Sequence, residues 1–313
     1  MHIRVLDLDG SVRRQNRLMD RHRPAEHDLA WWGPRIRLGC SFSRFQLFER
    51  ALAATLADEE AAGPALTFYG SGDFHHVSLA LLRRLPGPCN LLVLDNHPDW
   101  MRGVPFLHCG TWLYHAARLP QVRSVFHVGG NVDFDNGFRR LAPWPLLRSG
   151  KLTVFPAVRC FKTGTWTQVA HEPVRPKAVF QVTDRRLRGL LYPFRQALKS
   201  YPLYISLDKD VMTAAEAPAN WDSGHLHLAE VEDILRCFVD AARGELAGMD
   251  IVGDWSPVRT KGLFRRLLHW TEHPRLALTP AAATCSNERA NLTLLNALAR
   301  MQTGISEAQP VAA

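Results

Sequence analysis

Short apolar runs recur along this chain, and most of them do not alternate with polar residues. IRVLDLDG (3–10), ALTFYG (65–70), NLLVLD (90–95), SVFHVGG (124–130), KLTVFPA (151–157), AVFQVTD (178–184), PLYISLD (202–208) and GMDIVGD (248–254) read as strands. An unbroken apolar run of this length suits a strand covered on both faces. Between the runs the period becomes helical. In SRFQLFERALAATLADEEAA (43–62) apolar residues fall at 45, 47, 48, 51 and 52, one stripe of a helix. LAEVEDILRCFVDAAR (228–243) begins with acids and ends at Arg243-Gly244, start and stop signals in the right order. TPAAATCSNERANLTLLNALARMQ (279–302) closes the fold, with Pro280 suited to a first turn. Strands alternating with helices predict a three-layer α/β/α fold around a mostly parallel sheet of about eight strands. A single domain is expected over 1–303, with a frayed tail at 304–313. The irregular, polar stretch 212–227 predicts a functional loop.

Composition narrows the setting. The 313 residues are 46% hydrophobic, enough for a large core. No segment is long and apolar enough to span a bilayer, and MHIRVLDLDGSVRRQN lacks the layout of a signal peptide. Cys40, Cys89, Cys109, Cys160, Cys237 and Cys285 are scattered without a C-x-x-C pair, as free thiols in a reducing compartment would be. A cytoplasmic protein without a membrane partner is expected. The net charge is +8, but it comes from dispersed arginine pairs such as Arg83-Arg84 and Arg265-Arg266. No basic segment interleaves with aromatics, so no nucleic-acid partner is expected.

In open α/β sheets ligands gather beyond the carboxyl ends of the strands. Four of those ends carry unusual chemistry: Asp73, His75 and His76; Asp95, His97 and Asp99; Asp208, Lys209 and Asp210; Gly253, Asp254 and Trp255. Singly, each has a bland reading as a helix cap or a solvated turn. Converging on one sheet edge, the carboxylates would repel one another and their pKa values would rise. Cations relieve that. The charges of Asp95, Asp99, Asp208 and Asp210 balance two divalent ions, and a carboxylate and imidazole set without thiolate favours Mn²⁺ over softer metals. Extended, Asp95 and Asp99 would stand roughly 13 Å apart, so the chain must curl after Asp95, and Pro98 suits that exit.

The motifs resemble the arginase, or ureohydrolase, superfamily. Asp95-Asn96-His97-Pro98-Asp99 matches its Asp-x-His-x-Asp motif, and Ser206-Leu207-Asp208-Lys209-Asp210 its Ser-x-Asp-x-Asp motif. Pro218 to Leu228, Gly248-Met249-Asp250-Ile251-Val252 and Phe106-Leu107-His108-Cys109-Gly110 resemble further segments in the family's order. The resemblance implies an arginase-like fold and roles within it. Asp95 and Asp208 would bridge two metals. Asp99 and one of His75 and His76 would complete one sphere, and His97 and Asp210 the other. A hydroxide between the ions would attack an sp² carbon, with Asp210 holding its proton and His108 as proton shuttle. Asp254 stands where the family grips a guanidinium, and Asp133 where it holds a substrate amine. The implied partner is a small guanidino or amide molecule, and a homo-oligomer is compatible with the family.

Departures from the pattern matter. Gly72-Asp73-Phe74-His75-His76 replaces Gly-Gly-Asp-His and leaves open which histidine ligates. The segment from Asp99 to His108 is shortened and carries Trp100, Met101 and Arg102 where arginases hold the amino-acid end of arginine. Arg102 is a candidate for an acidic substrate group, or a surface arginine. Asp254 replaces a glutamate after an added Gly253. Arginine itself is therefore not the expected substrate. Two other readings stay open: a single-zinc amidohydrolase of the related deacetylase group, and an arginase-like binding protein without turnover. His127 reads as an interior histidine bonded to backbone. His171, His225, His227, His269 and His273 read as surface residues, and Trp31, Trp32 and Trp166 as core or contact residues.

Overall fold

The unbroken apolar runs are covered on both sides, as their composition demands. In the computed structural model, which describes residues 1–102, 105–130, 142–157, 167–169, 172–174, 184–259, 273 and 278–307, eight strands form one sheet. They are β1 (His2–Asp7), β2 (Ala25–Asp28), β3 (Ala65–Phe68), β4 (Cys89–Leu94), β5 (Val122–Val128), β6 (Leu152–Phe155), β7 (Leu203–Asp208) and β8 (Leu246–Val252). Their spatial order is β2-β1-β3-β8-β7-β4-β5-β6, and every pairing is parallel.

Alternate residues of one strand enter different cores. Leu92 and Leu94 join Ile205, Leu207 and Phe238 on one face. Leu91 and Val93 join Tyr204, Phe45, Leu81 and Trp112 on the other. The helices Leu228–Ala241 and Pro280–Glu307 cover the first face, and Phe42–Thr55 and Val77–Arg83 the second. Each fully buried aliphatic side chain contributes about 1.5–3 kcal/mol, so the two cores hold the strand ends in place. The expected three-layer α/β/α architecture is the one observed.

Some boundaries differ from expectation. The edge strand β2 reads AEHD and is mostly exposed, so it had no apolar run to announce it. Residues 178–183 of AVFQVTD lie outside the described residues, and Asp184 opens the helix Asp184–Leu191. The helix at Phe42 ends at Thr55 and continues as a 3₁₀ turn, Ala57–Ala62. The last helix runs on to Glu307, past the expected edge at 303. The Thr303 hydroxyl bonds back to the carbonyls of Ala299 and Arg300 within it, and 308–313 lie outside the described residues. Cys40, Cys89, Cys109 and Cys237 are buried free thiols and Cys285 is an exposed one; Cys160 lies outside the described residues. Among the described residues no helix is long and apolar enough to cross a membrane.

Register sets up the site. Leu94 of β4 stands opposite Leu207 of β7, so Asp95 and Asp208 leave the sheet side by side. Asp208 stands opposite Val252 of β8, which brings Gly253 against it.

Candidate metal centre

The chain curls after Asp95 as its motif requires. Asp95 Oδ1 accepts the His97 N–H at 2.7 Å, and Asp210 Oδ1 accepts the Asn96 N–H at 3.1 Å. Asp99 then takes a left-handed backbone with φ of 49°, a conformation aspartate tolerates better than most residues. Trp112 Nε1 donates to Asp99 Oδ2 at 2.8 Å, and the Leu113 N–H to its carbonyl at 3.0 Å. These bonds return Asp99 to Asp95 across a separation that an extended chain could not close.

Two groups of ligand atoms result, and they share Asp95. In the first, His75 Nδ1 lies 3.1 Å from Asp95 Oδ2, 3.1 Å from Asp99 Oδ2 and 3.5 Å from Asp208 Oδ2. Yet His75 Nδ1 and Asp95 Oδ2 are buried without a hydrogen-bond partner. Donor atoms crowded this closely, but not bonded to one another, fit a shared cation. In the second, His97 Nδ1 lies 2.8 Å from Asp210 Oδ2 and 3.7 Å from Asp95 Oδ1. His75, Asp95 and Asp99 each offer an atom within 4.8 Å of the others, and so do Asp95, His97 and Asp210. Asp208 lies between two glycine backbones. A Cβ at Gly72 would stand 2.6 Å from its Oδ2, and one at Gly253 would collide with its Oδ1. The added Gly253 therefore has a reason: only a residue without a side chain lets β8 pass the Asp208 carboxylate.

The electrostatics fit the same reading. Burial lifts Asp95 well above the carboxylate range, with Asp99 and Asp210 adding to it. Burial, then Asp210, pushes Asp208 up to about 8. Burial opposes charge on the imidazoles too, but the carboxylates outweigh it. Asp210 leads in raising His97 to about 10, and Asp95 and Asp99 raise His75. Without a cation this cluster retains protons, and metal uptake would release them.

The choice between the adjacent histidines rests on packing. Ser206 Oγ lies 3.0 Å from His75 Nε2 and donates to Asp250 Oδ1 at 2.8 Å. Asp250 also accepts from Tyr69, Ser78 and Tyr204. That chain can accept the His75 Nε2 proton, so that Nδ1 would be the nitrogen to ligate once the cluster gives up its protons. His76 is fully buried beside Phe45, with both ring nitrogens unpartnered. Burial, then the neighbouring His108 and His75, lower it to about 3, so it stays neutral and outside both groups. His75→Asn is expected to weaken Mn²⁺ binding by more than the roughly 10–100-fold that loss of an outer-shell partner costs. His76→Leu should leave that binding unchanged. Calorimetric titration ranks the two, and the opposite ranking exchanges their assignments.

The other expected residues lie around this centre or away from it. His108 is half-buried, its Nδ1 accepting the Gly110 N–H at 3.1 Å, and burial lowers its pKa. Arg102 is half-buried beside the 108–111 segment, where the Met101 N–H bonds the Gly110 carbonyl, and its Nε has no partner. Asp133, His171, His269 and Trp166 lie outside the described residues. Asp254 is in neither ligand group. Its Oδ1 receives Lys209 Nζ at 2.7 Å and Gln15 Nε2 at 2.6 Å. His127 bonds the His97 carbonyl at 2.8 Å, while His225 and His227 are exposed. Trp32 packs on Phe48, and Trp31 is 61% exposed.

His273 departs from its expected surface place. Its side chain is buried, with Nε2 2.8 Å from Asp73 Oδ1, because the Asp73 charge draws it inward. Trp221 stacks edgewise between His97 and His273 at 5.5 and 5.0 Å and donates Nε1 to Asp73. No sequence pattern pointed to Trp221 or to Arg37, which grips Asp73 Oδ2 at 2.6 Å. The only signal for Lys209 is a charged residue where a buried strand end calls for an apolar one.

Comparison with known proteins follows the same lines. The sequence model of the arginase family matches residues 70–258. An uncharacterized protein of Thermotoga maritima is 24% identical over 193 residues, 62% of this chain, and the chain spans 59% of that relative's length. Among solved structures, proclavaminate amidino hydrolase from Streptomyces clavuligerus has a TM-score of 0.52 at 18% identity, with 92% of this chain and 91% of that one covered. Arginase from Bacillus caldovelox has a TM-score of 0.56 at 13% identity, covering 97% and 98%. At these identities the structural likeness concerns the fold.

Proposed function

The chain belongs to the arginase family, and from that premise we propose that it is a dinuclear-metal hydrolase cleaving the linear C–N bond of a small guanidino, amidino or amide compound other than arginine. The observation that carries this reading is the pair of ligand groups sharing Asp95. His75, Asp95, Asp99 and Asp208 would hold one divalent ion, and Asp95, His97, Asp208 and Asp210 the other, with Mn²⁺ the best match to the donor set. Bound there, the ions would supply a nucleophile from water near neutral pH and offset the charge that develops as the substrate carbon is attacked.

The chain's own residues do the rest. Trp112 and Ser206 fix the orientation of Asp99 and His75 through the bonds described above. Asp210 takes the proton of the attacking water. His108, with Nδ1 held by Gly110, carries its proton on Nε2 and passes one to the departing amine. Its lowered pKa makes the charged ring a stronger acid.

Metal analysis combined with turnover tests the proposal. Two equivalents of divalent ion per chain are expected. Urea or ammonia should be released from a panel of guanidino compounds and amides, and lost in Asp210→Ala and His108→Ala. One equivalent would point to the single-zinc deacetylase-type enzyme, two equivalents without turnover to a binding protein, and trace metal would sink the reading.

A further inference from the structure

A cationic substrate needs a carboxylate free to receive it. Beside the cluster, four buried or nearly buried carboxylate side chains outside the ligand groups, those of Asp73, Asp250, Asp9 and Asp254, already have internal donors. Asp73 has Arg37, Trp221 and His273. Asp250 has four hydroxyls. Asp9 has Ser11, Ser71 and Ser256. Asp254 is the decisive case, because Gly253 before it abuts the Asp208 carboxylate. Lys209 comes from between Asp208 and Asp210 and places Nζ 2.7 Å from Asp254 Oδ1. The two side chains are 0% and 1% exposed. Gln15 at 2.6 Å and Asn291 at 3.4 Å add donors to the same oxygen. Asp254 Oδ2 is buried too and has no hydrogen-bond partner, so a cation that reached it would share one carboxylate with the Lys209 ammonium.

We infer that Lys209 sets the charge class of the substrate: as a built-in counter-ion on Asp254 it excludes guanidinium and amidinium groups, and the site admits an uncharged carboxamide or ureido C–N group. The inference rests on the hydrolase reading above and narrows its substrate. A second cation at Asp254 would meet the Lys209 ammonium in a poorly solvated interior, where like charges repel strongly. An uncharged group meets no such barrier. In its hydrolysis the water oxygen bonds to the carbonyl carbon and the C–N bond breaks. The amine leaves with a proton from the water, and the carboxylic or carbamic acid remains.

The test uses pairs of compounds differing only in guanidinium against ureido, such as agmatine and its ureido counterpart, or 4-guanidinobutyrate and 4-ureidobutyrate. Calorimetry is run on the full chain, metal-free and Mn²⁺-loaded. The wild type is expected to bind the guanidinium member at least tenfold more weakly than the ureido member. Lys209→Ala should strengthen guanidinium binding at least tenfold, and adding Asp254→Asn should cancel that gain. A wild type that prefers guanidinium overturns the inference, and so does a Lys209→Ala protein whose guanidinium binding is unchanged. Where the wild type binds neither member, the gain in Lys209→Ala decides.

Lys209→Ala also strands a buried carboxylate, so its melting temperature is read first. Rescue by millimolar ethylammonium or methylguanidinium is expected. Failure of rescue overturns the inference if the variant is otherwise too unstable to titrate. Metal content of the same samples separates the two readings. A protein with two ions that takes guanidinium overturns this inference alone, whereas a protein without ions overturns the hydrolase reading.

Discussion

Asp95→Asn is expected to abolish uptake of both ions and still make the metal-free protein more stable. Asp95 is the residue common to the two ligand groups, so its loss leaves neither ion a complete set of ligands. Metal-free, the same carboxylate is a liability. Burial raises it, and Asp99 and Asp210 raise it further. A carboxyl raised above its unfolded value costs stability once pH exceeds that unfolded value, about 4. The cost grows until pH passes the folded value, and it vanishes below about pH 4, where both states are protonated. Asparagine removes it, and His75 keeps Asp99 at 3.1 Å. With metal the order reverses. Each ion at a hundredfold excess over its dissociation constant adds about 2.7 kcal/mol to the wild type and nothing to the variant. Melting curves with EDTA and with Mn²⁺ should therefore cross between the two proteins. A variant that still takes up ions at wild-type affinity removes Asp95 from the centre.

How much of this was legible depended on how local each cause was. The covered strands announced themselves, because a strand buried on both faces must be apolar throughout, as NLLVL and LYISL are. β2 could not, since an exposed edge needs no apolar residues. The residues of the two candidate ligand groups were readable because each follows a strand end, and the sheet brings those ends together. Which of two adjacent buried histidines faces the carboxylates was not readable. That is decided by Ser206 and Asp250, on β7 and β8, against Phe45 on a helix of the opposite layer. Asp254 shows the limit of a motif. Its position matched a substrate-gripping acid, but the charged residue in Ser-Leu-Asp-Lys-Asp gave it an internal partner. Arg37 and Trp221 meet Asp73 from 36 and 148 residues away, and nothing local marks such a meeting.

That distant contact carries the second large effect. Arg37→Met is expected to destabilise the chain by about 3 kcal/mol, the low end of the usual cost of breaking a buried ion pair, because Trp221 and His273 still meet Asp73. Arg37 is 1% exposed and Asp73 0%. The guanidinium donates Nε to Asp73 at 2.6 Å, Nη1 to the Pro257 carbonyl at 3.2 Å and Nη2 to Ser256 Oγ at 2.9 Å. Lysine could keep the charge but not this fork, so Arg37→Lys should recover only part of the loss. Asp73→Asn in the Arg37→Met background should recover more, because it removes the stranded charge. The sign with pH follows. Burial opposes the Asp73 charge, yet Arg37 and His273 hold its pKa well below the carboxylate range. The pair's contribution is thus fully present above the unfolded value of about 4 and falls away as pH drops toward the folded one. Urea denaturation of wild type and variant from pH 7 to pH 3 should show their difference constant down to about pH 4 and shrinking below it. Asp73 lies two residues before His75, and its other oxygen holds Trp221 against His97. The same variant should therefore weaken Mn²⁺ binding under conditions where it remains folded, which a purely peripheral ion pair would not do.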